Sequence, residues 1–262
     1  MIVAVSDMHL GYNHSNESLF REFLNEIADN TEVEHFVLVG DLFEMWRRDP
    51  LKLLVSNIDI LNLLKEMHSR TNGVHLLAGN HDYHMIELEQ EVFSQFNFTV
   101  SMDLTLSYSN QNYYFVHGHQ FEHPDDLDMY HKFADILCMS NDEMGSTLDS
   151  LWELYKILYP LFHRTRAQFK EDLKKMLISP EERLTQEDIV KITQEACKKL
   201  KEAGNRPDEY LIYGHTHNPL VDEKTHVANT GSWVYDPDLP SRQTNTYITI
   251  EEGEPPKLIK FH

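Results

Sequence analysis

The chain has 262 residues, of which 41% are hydrophobic and 25% charged, a composition that excludes a disordered tail or a membrane bundle and allows one large domain or a domain with an insertion. Forty-three acidic against 23 basic side chains leave a formal charge of −20, which disfavours extended nucleic acid as a partner unless a basic patch or bound metal reverses the local field. No apolar run approaches the roughly 18–20 residues of a membrane span, so any lipid contact is peripheral.

Met1 leads directly into Ile2–Val5 without a basic region or a signal-length apolar stretch, which predicts a cytoplasmic protein. Ile2–Val5, 36–39 and 74–78 are short apolar runs, each ending in a polar cluster, as buried strands that deliver chemistry at their C-terminal ends do. Between them Leu19, Phe20, Phe23, Leu24 and Ile27, and then Ile60, Leu61, Leu64 and Met67, fall at helical spacing. The resulting β-α-β-α-β alternation predicts parallel strands joined by helices. Runs at 104–108 and 113–116 flank Ser109-Asn110-Gln111 and predict a hairpin opening a second sheet. From 125 to 203 strand signals give way to helix signals, with starts at Ser179-Pro180 and at Thr185 to Asp188. Strand-like sequence returns at Tyr210–Tyr213, Thr246–Ile250 and 258–261, so residues 125–203 read as a helical subdomain inserted into a single domain spanning 1–262. Cys138 and Cys197 both lie in helical sequence and form neither a zinc knuckle nor a disulfide framework.

Five motifs carry chemistry: Asp7-Met8-His9, Gly40-Asp41, Gly79-Asn80-His81-Asp82, His117-Gly118-His119 and Gly214-His215-Thr216-His217. Each follows a strand-like run, and strand ends converge in space. Carboxylate, imidazole and amide oxygen without thiolate suit hard and borderline divalent metals, with manganese first and iron or zinc as alternatives. Alternate residues of an extended segment face one way, which predicts that Asp7 and His9 reach one ion together, as do His215 and His217, while Met8 and Thr216 face away.

In this order the motifs resemble those of the calcineurin-like metallophosphoesterases. The resemblance implies a four-layer α-β-β-α sandwich, with the insertion as a helical lid. It also implies two divalent metal ions, one held by Asp7, His9, Asp41 and His217 and the other by Asp41, Asn80, His117 and His215. Asp41 would bridge them, and a hydroxide between the ions would attack phosphorus. His81 would protonate the leaving oxygen as general acid, with Asp82 either the carboxylate that orients it or a structural residue. His119, two residues beyond His117 and on the same strand face, is expected on the substrate side or behind the ligands.

Residues 42–48, Leu-Phe-Glu-Met-Trp-Arg-Arg, either line the entrance with Arg47 and Arg48 or form a solvated loop. Asn229-Thr230-Gly231-Ser232-Trp233 offers either backbone amides to a phosphate or a tight turn. His14, His35, His68, His75, His163, His226 and His262 have no motif context and read as surface or hydrogen-bonded residues, as do His84 and His123 near the predicted mouth.

The run from Gly40 to Trp46, the helical block after His117-Gly118 and Gly214 to His217 resemble the branch of UDP-diacylglucosamine pyrophosphohydrolases, which implies a lid over an amphipathic substrate. The apolar residues from Leu151 to Phe162 could line such a pocket or pack the lid. Against the lipid substrate, that branch carries Arg where this chain has His81, so a small nucleotide-like or amphipathic phosphoester is an equal expectation. Two rivals remain: a DNA-repair exonuclease of the SbcD type, which Ser6 to Tyr12 resembles but the charge opposes, and a non-catalytic metal-binding scaffold of the same fold.

Overall fold

The computed structural model describes residues 1–121, 127–139, 209–235 and 243–262. Two sheets pack face to face. The first has the order β11-β10-β1-β2-β3-β4. Its parallel centre is β1 (Ile2–Val5), β2 (His35–Val39), β3 (Gly73–Leu77) and β4 (Val100–Ser101), with β10 (Thr246–Ile250) antiparallel to β1 and β11 (Lys257–Lys260) antiparallel to β10. The second has the order β5-β6-β7-β9-β8. Here β5 (Asp103–Tyr108) and β6 (Gln111–Val116) form the expected hairpin, turned by Ser109 and Asn110 at φ 50° and 66°. β6, β7 (Tyr210–Tyr213) and β9 (Val227–Asn229) are parallel, and β8 (Leu220–Asp222) returns antiparallel to β9.

The continuous apolar runs follow from burial on both faces of the first sheet. Val3, Val5, Phe36, Leu38, Val74 and Leu76 point into a core shared with the helices. Their neighbours Ile2, Ala4, Val37, Val39 and Leu77 point the other way, against Tyr113, Phe115, Tyr210, Ile212 and Ala228 of the second sheet. A one-residue slip of any of these strands would therefore exchange one core for the other. Helix α1 (Glu17–Asp29) buries Phe20, Phe23, Leu24 and Ile27 in the helical core, the i, i+3, i+4, i+7 stripe seen in the sequence, worth about 2 kcal/mol per side chain. Helix α3 (Ile58–Arg70) buries Ile60, Leu61, Leu64 and Met67 in the same way.

Four elements were not foreseen. Strands β4, β8 and β9 have two or three residues each, too short for a periodicity. Helix α2 (Pro50–Ser56) is short but well started, with Pro50 in its first turn and Asp49 accepting from Lys52 N at 2.9 Å.

The chain thus has the α/β architecture expected of the four-layer α-β-β-α sandwich, two sheets packed face to face, and the described helices lie over the first of them. Of the expected inserted block, helix α4 (Leu127–Cys138) is described; its boundaries at 125 and 203, the starts at 179–188, Cys197 and the apolar run at 151–162 lie outside the described residues. Helix α4 joins the helical core through Tyr130, Ala134, Leu137 and Cys138, and Cys138 is the buried thiol expected. Among the described residues no helix is long and apolar enough to cross a membrane.

Candidate metal centre

β1, β2 and β3 end on the same edge because they are parallel, and β6, β7 and β9 end beside them. Beyond their strands the first two motif loops continue side by side: Asp7 N donates to Gly40 O (3.1 Å), His9 N to Asp41 O (2.9 Å) and Leu10 N to Leu42 O (2.9 Å). Met8 and Leu10 are buried beneath in the helical core. The pleat does not bring Asp7 and His9 together, as the alternation argument had it. β1 stops at Val5, and both residues are left-handed, at φ 55° and 47°. Asp41, His215 and His217 share that conformation at 53°, 63° and 54°. Non-glycine residues avoid it at a cost of about 1–2 kcal/mol each, so its concentration at five of the seven expected ligands marks strain kept for function.

Several small residues make room for this. A side chain at Gly214 would collide with Ser6 and Asp7, and one at Gly40 (φ 87°) with the His117 ring. Residues 229–233 are buried and also serve the loop after β1, with the amides of Thr230, Gly231 and Trp233 bonded inside the fold. Thr230 N bonds Tyr213 O, Gly231 N bonds Asn229 Oδ1, and Trp233 N and Ser232 Oγ both hold Asp7 O. Thr216 faces away from the centre, buried against Asn229.

The side chains converge. His9 Nε2 lies 3.5 Å from Asp41 Oδ2 and 3.9 Å from Asp7 Oδ1, and His217 Nε2 lies 3.2 Å from Asp7 Oδ1. On the other side of Asp41, His117 Nε2 is 3.2 Å from Asp41 Oδ2 and 3.2 Å from Asn80 Oδ1. His117 Nδ1 donates to Val39 O at 2.8 Å, which turns Nε2 toward Asp41 and Asn80 as the ring atom that would coordinate a metal. Among the described residues three groups of side chains therefore offer ligand atoms within 4.8 Å of one another: Asp7, His9 and His217; Asp41, His117 and His215; and His9, Asp41 and His81. The third was unexpected, since His81 sits on the His9 side of Asp41 and not only behind Asn80.

Glu44 escaped the sequence argument, where it was one residue of a loop that could equally be solvated. It is fully buried. Its Oε1 faces His81 Nδ1 at 2.9 Å, and its Oε2 faces His9 Nδ1 at 3.0 Å and Arg47 at 2.9 Å. Trp46 stacks on His81 at 3.9 Å between ring centres, so residues 42–46 form a buried wall of the site. Arg47 lines the cavity over the cluster, about 310 Å³ in volume, with Tyr12, His81 and His217; Arg48 points to a different cavity. Asp82 is structural: it accepts from the amides of Gly79, Asp41, Leu42 and Phe43.

His119 is not on the strand face of His117. β6 ends at Val116, Gly118 turns the chain at φ 120°, and His119 lies buried in a 3-10 turn with Nε2 3.0 Å from His131 Nε2 of α4. Burial first, then the nearby rings of His117 and His215, holds it well below the usual histidine range. His84 pairs with Asp135 of α4 at 2.8 Å. His35 and His75 pair with each other, His68 accepts from Val74 N and His226 stacks on Tyr210.

The cluster fits a cation. Asp7 Oδ1 and His9 Nε2 are buried with no hydrogen-bond partner among the described residues, although His217 Nε2 stands close to the former. Burial opposes the imidazolium form of His117, but Asp41 and Asp7 outweigh it and push the ring up to about 10. Burial likewise opposes protonation of His9, and the Glu44 hydrogen bond with the charge of Asp41 raises it to about 9. Burial penalises the Asp7 carboxylate, yet His217 holds it at about 2. Buried acids that draw protons onto ligand-type imidazoles form a place where positive charge is required, and a divalent ion supplies it.

Two packed sheets with carboxylates, imidazoles and an amide gathered at their strand ends define an α/β protein of the metallophosphoesterase type. The sequence matches the model of the calcineurin-like phosphoesterases over residues 1–219, and the chain belongs to that family. The family uses divalent metal ions, and the clusters described above could bind them. Among curated proteins, a UDP-2,3-diacylglucosamine hydrolase of Psychromonas ingrahamii is 26% identical over 233 residues, covering 84% of this chain and 81% of that protein. Among solved structures, an archaeal phosphodiesterase is 15% identical with 98% of each chain covered and a TM-score of 0.46. Vps29 of Entamoeba histolytica complexed with zinc is 12% identical, covering 100% of this chain and 99% of that one, with a TM-score of 0.41. Scores of this size leave the family assignment resting on the sequence match.

Proposed function

We propose that the chain hydrolyses a phosphoester, with Asp7, His9, Asp41 and His217 holding one divalent ion, Asp41, Asn80, His117 and His215 a second, and His81 acting as proton donor. The observation that carries this is Asp41, whose Oδ2 lies 3.5 Å from His9 Nε2 and 3.2 Å from His117 Nε2, so that one carboxylate serves both halves of the cluster. Divalent ions, manganese in this reading, would lower the pKa of water and neutralise charge on the phosphoryl group.

The protein's own groups divide the remaining work. Glu44 accepts from Nδ1 of both His9 and His81, which turns Nε2 of His9 toward Asp41 and frees Nε2 of His81 for the leaving oxygen. Trp46 on the face of His81 limits its rotation. Arg47, anchored on Glu44, adds a positive charge to the cavity wall.

We further propose that residues 1–262 form one phosphoesterase domain and that 125–203 form its lid. In support, α4 at the start of that block reaches the site through His131 on His119, Asp135 on His84 and Cys138 Sγ 3.3 Å from His81 O. The substrate in this reading is a small nucleotide-sugar or amphipathic phosphoester, turned over in the cytoplasm. The Psychromonas relative is consistent with that class, and His81 in place of that branch's Arg leaves its lipid substrate unassigned.

The test is a screen of metal-loaded protein against p-nitrophenyl phosphate, its bis ester, nucleotide-sugar pyrophosphates and single-stranded and duplex DNA, with metal analysis of Asp41→Asn beside it. Hydrolysis by the wild type with loss of both metal and turnover in Asp41→Asn is expected. Full metal content with near-normal activity in that variant would overturn the shared-carboxylate assignment.

A further inference from the structure

Among the described residues a second cavity is larger than the one over the metal cluster. It has a volume of about 820 Å³ and lies between the loop after His9, the start of α1 and helix α2. Tyr12 lines both cavities, so the two adjoin. The Tyr12 ring carries the Arg47 guanidinium 5.2 Å from its centre and stacks on His14 at 5.2 Å.

Charge sets this cavity apart from the rest of the molecule. In a chain of formal charge −20, its walls include Arg21, Arg48 and Lys52 against the one carboxylate of Glu17. Glu17 is occupied by the amide of Gly11 at 2.6 Å, and Arg21 by Asp59 and Asn57. Arg48 differs, because its Nε donates to Gly11 O at 2.9 Å and its Nη2 to Asn13 Oδ1 at 3.0 Å, both neutral acceptors. No carboxylate pairs with Arg48 among the described residues. The guanidinium is thus held in place with its charge uncompensated and with donors to spare. Gly11 is integral to this arrangement: at φ 96° it serves Glu17 with its amide and Arg48 with its carbonyl, and a side chain there would strike Leu53.

We propose that this cavity is the subsite for a phosphate-bearing group of about nucleotide size, belonging to the part of the substrate remote from the scissile phosphorus. Arg48 and Lys52 take the anion, and Tyr12 borders the passage from this cavity to the metal cluster. The volume falls within the ~300–1,000 Å³ of small-molecule sites. Binding energy gathered there would hold the scissile bond over the metal cluster, as remote contacts do when they serve turnover. This proposal rests on the phosphoesterase reading above and assigns the second half of the substrate that reading needs.

The experiment is calorimetric titration of the chelator-treated full chain with UDP and, separately, inorganic pyrophosphate, so that metal-bound phosphate does not contribute. The wild type is expected to bind UDP more tightly than pyrophosphate. Lys52→Glu, which reverses an exposed charge, and Ser56→Trp, which fills the cavity from α2, should each weaken UDP by about tenfold or more, the scale of one charge-assisted contact. Thermal midpoints confirm that both variants fold. No UDP binding to the wild type, or equal binding to the wild type and both variants, would overturn the subsite. Hydrolysis of p-nitrophenyl phosphate by the metal-loaded wild type tests the phosphoesterase reading separately, so failure of one leaves the other legible.

Discussion

Glu44 spans His9 and His81: one carboxylate oxygen lies 3.0 Å from His9 Nδ1 and the other 2.9 Å from His81 Nδ1. A buried carboxylate in that position couples the orientation of an expected metal ligand to that of the expected proton donor. Glu44→Gln keeps the shape but removes the charge and offers one acceptor where two are needed. Metal affinity should fall about tenfold to a hundredfold, the usual cost of losing an outer partner of a ligating histidine. Turnover of substrates with poor leaving groups should fall further than that of activated ones. Calorimetric metal titration together with a leaving-group series checks both.

His81→Ala separates proton donation from coordination. If His81 is the general acid, turnover of poor leaving groups drops by roughly 10²–10⁴ while activated aryl phosphates suffer less and metal content stays near normal. His81 also lies in one of the three candidate ligand groups, so loss of metal in this variant would assign it to coordination instead.

Asp82→Ala should act on stability first. Burial, then the nearby Asp41 carboxylate, raises Asp82 to about 7, and the four amide donors around it offset that cost. Removing the carboxylate orphans those buried amides at about 1–3 kcal/mol each, so a loss of at least about 3 kcal/mol is expected in urea denaturation. An unchanged midpoint would show that water replaces the carboxylate.

The pair of His35 and His75 carries a pH signature away from the site. Burial, and then the proximity of His35 and His68, lowers His75 from 6.5 to about 4. The unfolded chain therefore binds a proton between those values that the folded chain refuses, and stability falls as pH drops from about 6.5 toward 4. Below that range the folded state is protonated too, and this contribution levels off. His75→Gln should flatten that stretch of the stability profile, as read from urea midpoints at half-unit pH steps.

Much of the centre was legible before any coordinates. Asp7, His9, Asp41, Asn80, His117, His215 and His217 stand in short motifs behind apolar runs, and chemistry placed at strand ends needs no knowledge of the rest of the fold. Their geometry was not. Pleat alternation would aim Asp7 and His9 together from an extended segment, whereas left-handed turns aim them, because the loop amides after Val5 pair with the carbonyls of Gly40, Asp41 and Leu42. Such a turn needs support from a distant chain segment, and residues 229–233 provide it with no periodicity to reveal them.

The sequence by itself determined the parallel strands β1, β2 and β3 at the centre of the first sheet, which helix faces meet them and which side chains have ligand chemistry, since each depends on local pattern and residue type. The tertiary structure alone decided that Glu44 belongs to the site while Asp82 holds the loops, that His119 turns to His131, and that Arg47 and Arg48 face different cavities. Each of these depends on what a side chain meets across 12 to 41 positions of sequence. An acidic residue in a loop looks the same in sequence whether water or two imidazoles surround it. Burial removes the water, and only then does the carboxylate have to find its partners.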